Sequence, residues 1–313
     1  MEPERITSAQ NPKVKRLLAL QEKSALRRET GLFVVEGRRE LGHCIEAGYS
    51  VEAVFVCPEV GGDAPGSLIA GGDSGSAPEG VRPSGSPHHP FGTVPPLSNR
   101  GCYVPQGQNP NPRTEEGGRK VPQVFELSKE VYGKVAYRGG TEGVIAEVRA
   151  KYPRLEDLKL TANPLVMVLE SVEKPGNLGA VLRSADAAGA DAVIVCDPLT
   201  DLYNPNLIRA SIGAVFTVPV VCCPSSEAIA WLKAAGIRIL TAQLQDSAPY
   251  YDVDMTCATA IVMGTEATGL SDAWRRAADA HILIPMLGRL DSLNVSVSAA
   301  ILLYEAVRQR QNL

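Results

Sequence analysis

Three short blocks in the second half of this 313-residue chain place polar residues directly after predicted strands. The first block contains Asn177 and Arg183, the second contains Gly264 and Glu266, and the third contains Asn294. An arginine or a carboxylate can stabilise developing charge or assist proton transfer, and side-chain amides can orient a polar ligand. The blocks predict a polar site, although each one alone also fits a glycine turn with solvated charges.

The elements that must position these blocks follow a regular pattern from Pro164 onward. Fully apolar strands that alternate with helices indicate an α/β fold with a parallel sheet covered on both faces. Ligands bind such sheets at the carboxyl ends of the strands, where the three blocks fall. The predicted strands are Leu165–Leu169, Ala192–Cys196, Val215–Val221, Ile237–Leu240, Ala260–Met263 and Ile282–Ile284. The predicted helices are Leu178–Ala188, Pro205–Ala210, Ser226–Ala235, Asp272–Ala278 and Asn294–Arg310.

The chain before this region predicts a smaller α/β domain over residues 1–150, a linker at 151–163, and the second domain at 164–313. Within the first domain, 13 Gly, 10 Pro and 6 Ser make up 29 of the 58 residues from Gly61 to Gly118. Such a segment cannot bury enough apolar surface to offset its ordering entropy. We therefore interpret 61–118 as a flexible insert between the predicted strands Val54–Val56 and Val124–Glu126.

The first predicted helix begins at Asn11-Pro12 and is amphipathic. Its apolar face carries Val14, Leu17, Leu18 and Ala19, and its other face carries Lys13, Lys15, Arg16, Lys23, Arg27 and Arg28. The net charge of the whole chain is −4, which argues against a uniformly basic nucleic-acid binder. A local basic face can still contact phosphates, or it can simply be solvated.

Composition excludes several classes of protein. The seven cysteines form no C-x-x-C pair and the four histidines have no metal-ligand spacing, so we predict no metal site. No apolar run reaches the roughly 18–20 residues of a membrane span, and the N-terminus fits no signal peptide. We therefore expect a cytoplasmic protein. The first block lacks G-x-G-x-x-G, which argues against a dinucleotide-dependent dehydrogenase.

Taken in order, the three blocks resemble the signature motifs of the SpoU (TrmH-type) branch of the SPOUT RNA methyltransferases, over about Pro164 to Gln311. The third block, IPMLGRLDSLNVSVSAAILLYEAVRQR, resembles the family pattern over its whole length. The segments GLFVVEGRREL and GVIAEV resemble the substrate-binding domain common in this family, a small α/β fold like that of certain RNA-binding ribosomal proteins.

This resemblance implies a parallel-sheet catalytic domain with a deep C-terminal trefoil knot. It also implies S-adenosylmethionine as the methyl donor and a homodimer formed through the knotted domain, with the arginine site completed across the dimer. The cofactor-binding residues that it implies are Ala242, Gly264, Ile284, Met286, Ser292 and Leu293.

The implied reaction is methyl transfer to a ribose 2′-hydroxyl of RNA. The family assigns activation of this weakly acidic group to Arg183. Because an arginine pKa lies above about 12, phosphate positioning and alkoxide stabilisation fit its chemistry better than general-base catalysis, and the proton acceptor stays open. The resemblance gives Asn177 the role of steering the arginine or the nucleotide, Glu266 that of fixing the loop or the arginine, and Asn294 that of orienting the site.

The separate N-terminal domain favours ribosomal RNA as the substrate. A transfer-RNA methyltransferase and an enzyme that confers antibiotic resistance by modifying ribosomal RNA are near alternatives. A catalytically silent RNA-binding factor for ribosome assembly is an alternative of another class. The presence of Asn177, Arg183, Glu266 and Asn294 argues against silence.

Overall fold

Two sheets with helices on their faces make up the fold of the computed structural model, which describes residues 3–61, 121–137, 142–265, 268–289 and 292–311. The first sheet has the strand order β1-β4-β3-β5-β2. Strands β1, β4 and β3 are parallel to one another, and β5 is antiparallel to both β3 and β2. Its strands are β1 (Glu4–Ile6), β2 (Leu32–Glu36), β3 (Val51–Val56), β4 (Gln123–Leu127) and β5 (Val144–Arg149). Its helices are α1 (Pro12–Glu22), α2 (Ser24–Thr30), α3 (Arg38–Glu46) and α4 (Lys129–Val135).

Helix α1 begins as the sequence predicts. The Asn11 side chain accepts a hydrogen bond from the Lys13 backbone N–H over 2.9 Å, which caps the first turn. Val14 and Leu17 are fully buried against the sheet. Leu20 is the third buried residue of this face, whereas the predicted Leu18 and Ala19 are only partly buried. The buried face of the helix is therefore rotated relative to the predicted apolar face.

Three of the six basic side chains predicted for this face pair with acidic residues in the structure. Lys13 pairs with Glu4, and Arg16 pairs with Glu147 on β5. Arg27 is not on a solvated face: its side chain is buried and pairs with Asp201. The prediction that Arg27 lies on this exposed basic face is therefore wrong, because local charge counting cannot show the acidic partner that folding brings close.

The second sheet is parallel throughout and has the order β10-β12-β9-β11-β6-β7-β8. Its strands are β6 (Leu165–Glu170), β7 (Ala192–Cys196), β8 (Val220–Cys223), β9 (Arg238–Ala242), β10 (Ala248–Pro249), β11 (Thr259–Met263) and β12 (Ala280–Leu283). Its helices are α5 (Pro175–Ala187), α6 (Pro205–Ser211), α7 (Ala214–Thr217), α8 (Ser225–Ala234), α9 (Asp272–Ala277) and α10 (Val295–Gln311). The predicted parallel α/β sheet covered on both faces is confirmed.

One predicted strand is wrong. The segment Val215–Val221 divides into the short helix α7 and the start of β8. An apolar run of this length fits a buried helical turn as well as a strand. Ile212 and Gly213 both have positive φ, which turns the chain into α7, and Val215 and Phe216 are buried there.

An aromatic cluster joins the two sheets. Phe33 of β2 stacks on Tyr203, with ring centroids 4.2 Å apart and planes at 23°, and also on Phe216 of α7. Tyr49 and Tyr152 meet the Tyr203 ring edge-on. Because one apolar core runs from β2 and β5 to α5, α6 and α7, the first sheet is held in a defined place beside the second.

The predicted flexible insert lies outside the described residues, except for its first residue, Gly61. None of the helices in the described part of the chain is long and apolar enough to cross a lipid bilayer.

Candidate active site

Helix α5 carries the first block. Ser171 adopts a left-handed conformation directly after β6, and Pro175 occupies the first turn of the helix, where its missing N–H costs nothing. The helix places Asn177 in its first turn and Arg183 nearly two turns further on. The loop thus presents Asn177 beside Gly264 at the carboxyl end of the sheet, and Arg183 lies further along the helix.

The packing of α5 depends on Gly179. A Cβ atom at this position would lie 2.7 Å from both the Ala210 Cβ and the Leu207 carbonyl oxygen of α6. Since these contacts are shorter than van der Waals separation, only glycine lets the two helices approach this closely. Arg183, four residues later on α5, takes its position from this contact.

The second block is a loop that folds back on itself after β11. Thr265 and Gly269 exchange backbone hydrogen bonds of 3.2 and 3.1 Å. A Cβ atom on Gly264 would lie 2.2 Å from the backbone of Gly269, so the tight loop requires glycine at 264. Glu266, predicted as a catalytic residue, lies outside the described residues.

The third block runs from the end of β12 to the start of α10. Ile284 and Met286 are partly buried, whereas Ser292, Leu293 and Asn294 are exposed. Asn294 precedes the helix instead of beginning it. Its side-chain oxygen accepts from the Ser296 backbone N–H and hydroxyl over 3.0 and 2.6 Å, and its backbone carbonyl accepts the first helical hydrogen bonds. The residue is an N-cap, which explains its place in the pattern.

The three blocks meet around one small cavity of about 120 Å³. Asn177 and Gly264 both border it, and the Asn294 side-chain amide donates to the Asn177 Oδ1 over 3.2 Å. The complete lining is Val172, Glu173, Lys174, Asn177, Gly264, Thr265 and Val295. The structure therefore brings together predicted residues that are far apart in the chain.

The other predicted residues that the structure describes are not part of the cavity lining. Ala242 ends β9 and pairs with Ile282 of β12, so it lies at the same sheet edge as Ile284. Arg183 is exposed and donates no hydrogen bond within the described part of the chain. Its guanidinium is therefore available to a ligand or to a partner chain that approaches this face of α5.

Sequence reasoning missed the contribution of Lys174 and Glu173 to the cavity wall, although both belong to the first block. It also missed a wider groove of about 490 Å³ on the α6 side of α5, lined by Pro175, Gly176, Asn206, Arg209 and Ala210. The Arg209 guanidinium stacks on the Tyr137 ring of the first domain at 4.6 Å. No local pattern marks Arg209, because its partner lies in the other domain.

Cys196, at the end of β7, is not activated as a nucleophile. The hydrogen bond with the Cys223 thiol, together with burial, raises the pKa of Cys196 well above its usual range. A thiol must ionise to attack, so Cys196 stays inert at neutral pH. No cluster of three or more His, Cys, Asp or Glu side chains in the described ranges has an arrangement that holds a metal ion.

Comparison with known proteins gives a consistent result. The family model described as "SpoU rRNA Methylase family" matches residues 164–304, and the "MRM3-like substrate binding domain" model matches residues 11–73. The chain is 34% identical over 187 residues to the 23S rRNA (guanosine(2553)-2′-O)-methyltransferase RlmP of Bacillus subtilis, an alignment that covers 59% of this chain and 75% of that protein.

Two further similarities extend this result. The chain is 38% identical over 165 residues to the tRNA (guanosine(18)-2′-O)-methyltransferase of Escherichia coli, which covers 52% of this chain and 71% of that protein. It also resembles the crystal structure of an AdoMet-bound rRNA methyltransferase from Sinorhizobium meliloti, with a TM-score of 0.75 and 26% identity over 97% of both chains.

Proposed function

This chain belongs to the SpoU rRNA methylase family, and from that premise we propose that it methylates ribose 2′-hydroxyls of ribosomal RNA. It is an RNA 2′-O-methyltransferase that uses S-adenosylmethionine. The observation that carries the proposal is the contact between Asn177 and Asn294 beside Gly264, because it unites the three blocks at one cavity.

The residues around this cavity fit S-adenosylmethionine. Gly264 borders the cavity without a side chain, and the partly buried Ile284 and Met286 offer apolar surface at the same end of the sheet. We propose that these residues hold the cofactor, with Ala242, Ser292 and Leu293 beside them. When bound, the cofactor supplies an electrophilic methyl group on a sulfonium.

The chain's own residues supply positioning and charge. The Asn177–Asn294 hydrogen bond holds the start of α5 against the start of α10, which fixes the direction in which α5 presents Arg183. A guanidinium keeps its charge at neutral pH, so Arg183 stabilises negative charge on the ribose oxygen and binds an adjacent phosphate. Holding the hydroxyl in line with the methyl group accounts for further acceleration. Glu266 is the proposed residue that fixes the second loop or the arginine.

A homodimer is part of this proposal. The face of α10 turned away from the sheet exposes Val297 (47%) and Tyr304 (50%), with the partly buried Ile301 between them. These positions form an apolar stripe at helical spacing, which supports a protein interface. Arg183 does not line the cavity of its own chain. In the proposed dimer, the Arg183 of each copy lies at the cavity of the other copy, so dimerisation completes both sites.

The proposed knot is supported by the path of the C-terminal chain. Strand β12 lies beyond β9, next to the sheet edge formed by β10, whereas the following helix α10 packs against α5 and against β6 and β11 near the centre. The third block must therefore carry the chain back past β9 and β11, the strand that the second block follows. Such a crossing is what a deep trefoil knot at this end of the domain requires.

The RNA-binding surface in this proposal runs along the junction of the two domains. Arg209 pairs with no carboxylate in the described residues, and it borders the groove beside Gly176. Its stacking on Tyr137 places a positive charge between the proposed RNA-binding domain of residues 1–150 and the first turn of α5. A separate RNA-binding domain supports ribosomal RNA as the substrate, and such a substrate supports a cytoplasmic location.

Mapping of 2′-O-methyl sites on total RNA, with and without the gene, tests the proposal. We expect one ribosomal RNA site to lose its methyl group in the deletion strain and to regain it when purified protein and S-adenosylmethionine are added to the extracted RNA. Loss of a methyl group from a transfer-RNA site instead would show that the substrate is transfer RNA and not ribosomal RNA. No lost site, together with no binding of S-adenosylmethionine by calorimetry, would leave a silent RNA-binding protein.

A further inference from the structure

A buried polar network lies at the carboxyl end of β6, two residues before Val172 of the cavity lining. Glu170 ends β6 and is only 7% exposed. One of its carboxylate oxygens accepts from the Ser271 backbone N–H over 2.8 Å, and the other lies 3.2 Å from the Ser225 hydroxyl. The same hydroxyl contacts the Asp197 carboxylate at 2.6 Å and accepts from the Trp274 indole N–H over 3.0 Å. Four elements are thus joined through one carboxylate and one hydroxyl.

The position of Glu170 connects it to both loops that wall the cavity. The first loop begins at the next residue, Ser171, whose left-handed backbone turns the chain toward Asn177. The second loop is fixed at its far end by the hydrogen bond from the Ser271 N–H to the Glu170 carboxylate, because Ser271 lies only two residues beyond Gly269. Gly269 is in turn held against Gly264 at the near end of that loop.

We propose that Glu170 is a positioning residue for cofactor binding: its carboxylate fixes the second loop relative to the first and so sets the shape of the S-adenosylmethionine site. Glu170 does not line the cavity and acts only through Ser271 and Ser225. The inference rests on the proposed function and names a residue that the three sequence blocks do not contain.

Two features of the geometry favour positioning over general packing. A buried carboxylate that accepts a backbone N–H fixes a loop more precisely than apolar contact does, because hydrogen bonds are directional. The Ser271 side chain makes no capping bond to α9, so Glu170 rather than the serine hydroxyl holds this end of the loop. Loss of the acceptor would leave the Ser271 N–H without its protein partner and release this end of the loop.

Glutamine is the conservative replacement for Glu170, because its amide can keep both hydrogen bonds of the carboxylate. The Ser225 hydroxyl has a single hydrogen, which lies nearer Asp197, and one of its two lone pairs already accepts from Trp274. A glutamine at 170 can donate its amide N–H to the remaining lone pair and accept from the Ser271 N–H with its carbonyl. Glu170→Gln therefore keeps the loop anchored, whereas Glu170→Ala does not.

The decisive experiment removes the donor of this hydrogen bond instead of the acceptor. Ser271 has φ −65°, which is the φ of proline, so Ser271→Pro deletes the N–H without straining that angle, and its ring Cδ displaces the Glu170 carboxylate that lay 2.8 Å from the nitrogen. Ser271→Ala is the matched control, since it keeps the N–H and removes only the hydroxyl. Calorimetry with S-adenosylmethionine gives the affinity, and steady-state methyl transfer gives KM for the cofactor and KM for the RNA.

We expect Glu170→Ala and Ser271→Pro each to raise the Kd for S-adenosylmethionine about tenfold, which corresponds to loss of one hydrogen bond to a charged group. KM for the cofactor should rise in proportion, with KM for the RNA unchanged. Glu170→Gln and Ser271→Ala should stay within about twofold of the wild type. Glu147→Ala, which removes a buried carboxylate from the first sheet, should lower Tm without changing this Kd.

The inference is overturned if Ser271→Pro binds the cofactor as tightly as Ser271→Ala, or if Glu170→Gln is impaired as much as Glu170→Ala. If Glu170→Ala does not fold, the Ser271 pair still decides the question. Failure of the proposed function is a different result, because then the wild-type protein itself would not bind S-adenosylmethionine.

Discussion

The side-chain amide of Asn294 donates a hydrogen bond to the Asn177 Oδ1 over 3.2 Å, although the two residues are 117 positions apart in the chain. One residue lies in the first turn of α5 and the other is the N-cap of α10. Their contact holds the starts of two helices together at the carboxyl edge of the second sheet. The direction of Arg183 on α5 depends on this junction.

Replacement of Arg183 by alanine should remove methyl transfer without removing cofactor binding. If the guanidinium stabilises charge on the ribose oxygen, kcat falls by about two to three orders of magnitude, as for the loss of other transition-state donors. Since Arg183 does not line the cavity, the Kd for S-adenosylmethionine should stay within about twofold. Arg276→Ala, an exposed arginine on α9, is the charge-matched control and should retain full activity. Undiminished turnover by Arg183→Ala would reject its role.

Gly179→Ala should separate α5 from α6. The added methyl group would lie 2.7 Å from the Ala210 Cβ, so we expect a loss of about 1–3 kcal/mol in the free energy of unfolding and a fall in kcat as Arg183 moves. Gly133→Ala on α4 is the control: nothing lies within 4 Å of its added methyl, and helix propensity predicts a gain of about 0.5–1 kcal/mol. Equal stability of the two variants in urea would contradict this packing.

Asp201→Ala should destabilise the junction of the two domains strongly. Arg27 is 3% exposed, and its Nε lies 2.6 Å from the Asp201 carboxylate, so the variant leaves a buried positive charge without its counter-ion. Such losses cost about 3–5 kcal/mol. The double variant Arg27→Met/Asp201→Ala should recover part of this loss, because it leaves no buried charge. Denaturant unfolding of both single variants and the double variant measures the coupling, and additive effects would argue against the pair.

Glu147 should make stability fall as pH rises. Burial raises the pKa of this carboxyl above its ordinary value of 4.5, against the opposing effect of the Arg16 guanidinium. The folded protein therefore binds this proton more tightly than the unfolded chain, so the contribution of Glu147 to the free energy of unfolding decreases as pH rises from 4.5 through the folded pKa.

Glu147→Gln should accordingly gain stability relative to the wild type as pH rises from 4.5 through the folded pKa of Glu147. Urea unfolding of both proteins across this range gives the difference directly. Arg16→Leu serves as the complementary control: without the guanidinium the pKa of Glu147 rises further, and the stability of that variant falls more steeply with pH. A difference that is constant with pH would show that burial does not control this carboxyl.

Local sequence determined most of the elements and identified the three blocks that meet at the cavity. The apolar strand Ala192–Cys196 has the predicted bounds because its residues are buried on both faces of the sheet, which makes the run continuous. The blocks around Asn177, Gly264 and Asn294 were identifiable because glycine and asparagine are needed where a loop turns tightly or a helix begins. Val215–Val221 was misjudged because a short apolar run has no period that separates a buried helical turn from a strand.

Only the tertiary structure decided which of these residues meet. The burial of Arg27 against Asp201, the anchoring of Ser271 by Glu170 and the contact between Asn177 and Asn294 each join residues separated by 100 or more positions. The strand order β12-β9-β11-β6 brings such segments together, and no pattern within a single segment encodes that order. Residue types and spacing fix what each loop can do, whereas the packing of the sheet fixes which loops act together.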